Sequence, residues 1–185
     1  MKIETKRLVI RDLEMKDVNY LVDGCNNLNV SRYLALVPYP YSEKSAKDFI
    51  KTCVKESKEK PRTKYNFGIE LKEENRIVGS VGLSKVDYFQ GTATVGYWIN
   101  EDYWRRGIMS EALEAVINFA FRKLKLRRIN VKAFSENKAS NSLIKKAGFV
   151  YEGTCRKSVK DKALGKIHDN HIYGMLKDDW NKEIS

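Results

Sequence analysis

The sequence predicts a mixed α/β fold of the α+β type: a mostly antiparallel sheet of about seven strands flanked by about four helices, in one domain spanning residues 1–185. Two patterns carry this expectation. Three strand-like segments follow one another through short polar turns in the middle of the chain, which reads as an antiparallel meander. The apolar spacing then changes from alternation to a helical period, and a strand, a helix and a terminal hairpin follow.

Taken in order, Arg7 to Arg11 reads as a strand and Met15 to about Cys25 as a short helix. The segment Leu36-Val37-Pro38-Tyr39-Pro40-Tyr41 cannot continue a helix through its prolines. Ser42 then suits an N-cap, with Glu43 in the favourable first turn of a helix running to about Lys58. Pro61 marks a turn before the strand candidates Tyr65 to Leu71, Ile77 to Val86 and Thr92 to Ile99, which are joined by Glu73-Glu74-Asn75 and Phe89-Gln90-Gly91. From Ile108 to Leu124 the residues Ala112, Leu113, Val116, Ile117, Ala120, Phe121 and Leu124 recur at helical spacing and bury one face. Arg127 to Phe134 is a strand and Lys138 to about Ala147 a helix stopped by Gly148. Two final strands bracket a turn near Asp161 to Gly165.

Composition excludes several classes. With 42% hydrophobic and 32% charged residues and three prolines, the chain is neither disordered nor fibrous. Apolar stretches fall short of the roughly 18 residues that span a bilayer, and the start Met1-Lys2-Ile3-Glu4 has no apolar signal core, so the expectation is a cytoplasmic chain without a membrane partner. Cys25, Cys53 and Cys155 are odd in number and widely spaced, which suggests buried thiols and neither a disulfide framework nor a metal site. Thirty-five Lys and Arg against 24 Asp and Glu give +11, compatible with nucleic acid, an anionic cofactor or an acidic protein as partner, and equally with a solvated surface.

The strand Val95 to Ile99 runs through Asn100-Glu101-Asp102-Tyr103-Trp104-Arg105-Arg106-Gly107-Ile108-Met109-Ser110 into the long helix. A helix start behind a glycine turn presents unpaired N–H groups and the positive end of the helix dipole, which suits an anion. A glycine before a helix is also an ordinary structural turn, and neither a P-loop nor a dinucleotide fingerprint is present.

Several segments together are more specific: Thr5-Lys6-Arg7-Leu8-Val9-Ile10-Arg11, Gly96-Tyr97-Trp98-Ile99, Trp104 to Leu113, Asn137 to Asn141, Ala147-Gly148-Phe149, Glu152-Gly153 and Gly165 to Asp169. In order and spacing they resemble GNAT acetyltransferases, particularly the RimJ/RimL-like ribosomal-protein N-terminal acetyltransferases. The resemblance implies acetyl-CoA as cosubstrate and no metal. It puts the pyrophosphate turn, of pattern Gln/Arg-x-x-Gly-x-Gly/Ala, at Trp104 to Met109, where Trp104 and Met109 depart from the pattern. The cofactor-binding residues it implies are Trp98, Ile99 and Asn100 for the pantetheine arm, then Arg105, Arg106, Gly107, Ile108, Met109 and Ser110, with Asn137 and Lys145; Lys145 reads equally as solvated surface.

For catalysis, many members of the family carry a Tyr four residues before the Gly-Phe pair, and this chain has Ile144 there. Ser140 matches the serine used in the RimL-like branch and is the candidate acid; it reads equally as a residue that caps or packs the start of its helix. The family's base positions fall at Thr94 and near Val159, so the base stays unassigned among Asp169, His168 and an ordered water. A protein α-amine, with a pKa near 8, is about a tenth neutral at pH 7 and can do without one.

Three functions compete. The first is acetylation of a protein N-terminus, with a ribosome-associated target; the second is acetylation of a small amine such as a polyamine or an antibiotic, by a monomer or homodimer in either case. A positive chain repels polycations, which favours the first. The third is a non-catalytic nucleic-acid-binding module built on Arg122-Lys123-Leu124-Lys125-Leu126-Arg127-Arg128, a run that equally complements a helix dipole.

Overall fold

The computed structural model describes residues 1–184, with side chains through Trp180. Its strands are β1 (Lys2–Glu4), β2 (Leu8–Asp12), β3 (Tyr65–Leu71), β4 (Arg76–Asp87), β5 (Thr92–Ile99), β6 (Arg128–Phe134), β7 (Val150–Lys160) and β8 (Ile167–Leu176). The helices are α1 (Val18–Cys25), α2 (Leu28–Ser31), α3 (Glu43–Glu56), α4 (Ile108–Arg122), α5 (Lys138–Lys146) and α6 (Lys177–Ile184), with 3-10 turns at Met15–Asp17 and Glu101–Tyr103. All eight strands join one sheet in the order β1-β2-β3-β4-β5-β6-β8-β7. Every neighbouring pair is antiparallel except β5 and β6, because only that connection crosses back over the sheet through α4.

The expected elements recur within a residue or two, and three short ones were not foreseen. Strand β1 has only three residues, α2 is one turn, and α6 follows β8 directly. β1 and α2 are too short to show a period. Ser42 caps α3 by accepting the Ser45 N–H, as its position suggested.

Two hydrophobic clusters cover the sheet. The larger joins α4, through Ala112, Leu113, Val116 and Ala120, to Ile10, Phe67, Ile69, Val81, Val95 and Val131. The smaller joins α1 and α3, through Val18, Leu21, Ala46 and Ile50, to Leu13 and Ile77 with Trp98 packed against it. Tyr97 and Trp98 belong to different clusters, as successive residues of a strand should if the clusters lie on opposite faces. Helix α1 fits over Trp98 because Gly24 has no side chain: a Cβ there would stand 2.4 Å from the indole. Cys25 and Cys53 are buried, and burial pushes both thiols up to about 12, which keeps them from acting as thiolates. The expectation of three buried thiols fails at Cys155, which is exposed because β7 forms the edge of the sheet.

Candidate active site

The parallel pair β5 and β6 stays together only from Thr92 opposite Arg128 to Val95 opposite Val131. Beyond that point β5 remains with β4 as far as Ile99 opposite Gly79, while β6 remains with β8 as far as Phe134 opposite Asn170. The sheet therefore splits, and one edge of β5 faces a gap. Asn100 N–H bonds the Val78 carbonyl at 2.9 Å, and the alternation of an antiparallel ladder then turns the backbone of Trp98 and Gly96 toward β4 as well. Tyr97 and Ile99 point their N–H and C=O groups the other way, into the gap. The Ile99 carbonyl is taken by the Trp104 indole N–H at 3.0 Å, which leaves the Ile99 N–H as a donor. Of the three residues expected to pair with the pantetheine arm, Ile99 has its backbone on the gap side, whereas those of Trp98 and Asn100 are committed to β4.

The strand leads through the 3-10 turn to Arg105 and Gly107, both with positive φ, at +60° and +71°. Gly107 is the N-cap of α4 and offers no side chain, so the N–H groups of Ile108, Met109 and Ser110 have no intrahelical acceptor. An acid in the first turn, Glu111, could compete for this positive end. It is held away by Thr5 Oγ1 at 2.5 Å, by Arg7 N–H at 3.0 Å and by Arg7 Nε at 2.6 Å. Burial works to raise the Glu111 carboxyl, and these hydrogen bonds outweigh it and hold it below its ordinary value. Arg7 also donates to the Arg106 carbonyl at 2.9 Å and so fixes the turn from outside. Sequence reasoning did not assign Arg7 this part, because nothing local shows that a residue of β2's approach reaches a helix a hundred positions later. Arg105 and Arg106 are exposed, with the Arg106 guanidinium 5.1 Å from the Tyr103 ring centre; Lys145 is exposed on the last turn of α5.

Across the gap stands the start of α5. Asn137 Oδ1 caps this helix by accepting the Ser140 N–H at 3.1 Å, so capping falls to Asn137 and the Ser140 hydroxyl is spared for another partner. That partner is Tyr97, whose hydroxyl lies 2.8 Å from Ser140 Oγ and bridges β5 to α5. Burial pushes the Tyr97 phenol up to about 12, so it keeps its proton at neutral pH. Ile144, where the family's tyrosine would stand, is wholly buried in the larger cluster. Tyr97 was missed as a reactive group because in the sequence it reads as one of alternating strand aromatics.

Asn141 Nδ2 donates to the carbonyls of Phe134 at 2.9 Å and Asn137 at 2.7 Å, which orients its Oδ1 toward Tyr173 Oη at 2.7 Å and His171 Nδ1 at 3.0 Å. Because Asn141 Oδ1 can only accept, His171 donates to it from Nδ1. His168 differs. It is buried, stacked on Phe134 with ring centres 4.1 Å apart, and bound on Nδ1 by Glu136 and on Nε2 by Asp161 at 2.8 Å. Burial alone would raise the Asp161 carboxyl, yet the N–H groups of Leu164 and Lys166 together with His168 hold it below its ordinary value. Asp169 accepts the Lys157 N–H at 2.7 Å across the β7–β8 hairpin. With both ring nitrogens engaged by carboxylates, His168 is not free to act as a base, whereas Asp169 is half-buried and has one oxygen engaged by the Lys157 amide.

The hairpin tip reaches the loop before α3, where Lys162 N–H donates to the Ala35 carbonyl at 3.2 Å. Around this junction Leu36 and Tyr39 on the loop and Leu164 and Ile167 on the hairpin are exposed. Among the described residues no group of side chains could hold a metal ion, and no helix is long and apolar enough to cross a membrane.

A family model described as an acetyltransferase (GNAT) domain matches residues 7–150. The N-acetyltransferase p20 of Bacillus licheniformis is 30% identical over 173 residues, covering 94% of each chain. A ribosomal-protein-serine acetyltransferase of Escherichia coli is 30% identical over 86 residues, 46% of this chain and 48% of that one. Among solved structures, the microcin C7 self immunity acetyltransferase in complex with acetyl-CoA and AMP superposes with a TM-score of 0.80 at 22% identity over 93% of both chains.

Proposed function

The chain belongs to the GNAT acetyltransferase family, and from that premise we propose that it transfers an acetyl group from acetyl-CoA to the N-terminal α-amine of a protein. The cosubstrate supplies an acyl group on a thioester, an amide-bearing arm and a pyrophosphate. The site has a match for the last two. Ile99 N–H faces the gap beside β5, and the three uncapped amides of Ile108, Met109 and Ser110 meet the anion at the positive end of α4. Arg105, Arg106, Asn137 and Lys145 are further candidates to hold it. Ser140 is the proposed general acid: its proton goes to the departing thiolate of CoA, and Tyr97, with its phenol kept protonated, can donate to the Ser140 oxygen left behind and restore its proton. A protein α-amine is partly neutral at neutral pH, so water suffices to accept the proton that the amine loses.

The observation that carries the choice of acceptor is the junction of the loop and the hairpin tip. Four exposed apolar side chains from two segments suit an extended peptide better than a small polycation, which a net charge of +11 also repels. The kinship with a ribosomal-protein-serine acetyltransferase points the same way. The test sets peptides beginning with Ser, Ala or Thr against polyamines and aminoglycosides at matched concentration, following free thiol. Faster acetylation of a peptide is expected; faster acetylation of every small amine would overturn the peptide reading.

A further inference from the structure

The basic run after α4 has no part in the site above, and the fold sets it against an unusual neighbour. Gly91, at the tip of the β4–β5 hairpin, accepts the N–H groups of Arg127 at 2.8 Å and Arg128 at 3.2 Å, and the Gln90 carbonyl accepts Arg127 Nε at 2.6 Å. The tip and the α4–β6 linker are therefore pinned together as one surface. Along the linker Lys123, Lys125 and Arg127 are exposed while Leu124 and Leu126 turn inward, so every second residue presents a cation. Within the run the ion pair among the described residues is Arg128 with Glu152.

On this tip Phe89 is 94% exposed, the most exposed large apolar side chain among the described residues. Its neighbours are accounted for. Tyr88 donates to the Arg62 carbonyl at 2.7 Å, and Asp87 accepts the Gln90 N–H at 2.8 Å, which turns its charge toward the backbone. A fully wetted ring on a hairpin held by five surrounding hydrogen bonds sits on a fixed platform.

We propose that the hairpin tip and the α4–β6 linker form a docking surface for single-stranded RNA, with Phe89 as a stacking platform and Lys123, Lys125 and Arg127 on the phosphates. An unpaired base offers a π face to an exposed ring, and the adjoining backbone offers anions to the cations. A duplex hides its bases, and an acidic protein would need an apolar pocket placed beside its anions to cover the ring. The surface lies at the start of β5 and the acetyl-CoA turn beyond its end, a strand length of roughly 23 Å away, so the reaction site stays open while RNA is held. The inference does not depend on which amine is the acceptor.

The test is fluorescence anisotropy with a labelled single-stranded oligoribonucleotide of about 12 nucleotides and its duplex, across a range of salt. Wild type should bind the single strand more tightly than the duplex. Phe89→Ala should weaken single-strand binding about tenfold with the salt dependence unchanged, because stacking releases no counterions. Lys123→Glu with Lys125→Glu should lower the slope of log affinity against log salt by about 1.4. Circular dichroism and acetylation of a free acceptor should match wild type in both variants. Equal binding of strand and duplex, or Phe89→Ala binding RNA like wild type, would overturn the proposal. So would a Phe89→Ala variant that splits a dimer in sedimentation while RNA binding stays the same, which would make the tip a contact between copies of this chain.

Discussion

The turn from Arg105 to Ser110 and the tip of the β7–β8 hairpin are built in opposite ways. From Arg105 to Ser110 the working groups are backbone amides, two positive-φ residues and a helix start, all supplied by one short segment. At the hairpin tip they are side chains gathered from far apart: Glu136, His168 and Asp161 in a chain of hydrogen bonds, Phe134 stacked beneath, and Ala35 holding Lys162 by its carbonyl. The first region depends on conformation and tolerates many side chains. The second depends on particular side chains and is spoiled by the loss of any one.

That contrast breaks most visibly at His168. His168→Ala leaves the buried Asp161 carboxylate without its imidazole partner, and the expected cost is roughly 3 kcal/mol of folding stability, more than a hundredfold in the unfolding constant. Urea unfolding at pH 7 measures it. Asp161 has a folded pKa below its unfolded value, so the stability it contributes is present above about pH 4 and is lost as pH falls through the folded value. The gap between wild type and variant should therefore narrow in acid. A variant as stable as wild type at pH 7 would show the hairpin tip to be held by something else.

Gly107→Val is the matching break in the first region. A β-branched residue at φ +71° is strained by about 1–2 kcal/mol, while its Cβ would meet the Arg7 guanidinium at an ordinary contact distance of 3.5 Å, so the turn should shift more than the fold. Calorimetry should show acetyl-CoA affinity reduced by about a hundredfold or more with the circular dichroism spectrum kept. Affinity like that of wild type would remove the turn from the binding site.

Between the two regions sits the Ser140 and Tyr97 pair, which sharpens the comparison because it joins a strand to a helix across the gap. Ser140→Ala should lower turnover by about ten- to a hundredfold with little change in cofactor affinity. Tyr97→Phe should act in the same direction, and the double variant should be no worse than the poorer single one, since the two hydroxyls act as a unit. Full additivity would mean separate roles, and unchanged turnover in Ser140→Ala would leave it a residue that only packs.

The same contrast explains what was legible in the sequence. The helix from Ile108 and the glycine at 107 are readable because period and turn chemistry are local, and the family became legible once they stood in order with the segments from Thr5 to Asp169. Strand counting stopped one short, since three residues before Thr5 carry no alternation. Tyr97 facing Ser140, and Asn141 fixing the proton of His171, arise only when β5, α5 and β8 meet, and no spacing along the chain encodes that meeting. The capping of α5 by Asn137 was open to capping rules, yet the residue was read for its place in a cofactor motif.

The central claim is that main-chain amides on the gap side of β5 and at the start of α4 hold acetyl-CoA. Residue-resolved hydrogen exchange with and without acetyl-CoA tests it most directly. The account predicts that the amides of Ile99, Ile108, Met109 and Ser110 become protected on addition while that of Phe89, at the far end of β5, does not change. Binding that leaves those four amides exchanging as before, with protection appearing elsewhere, would contradict it.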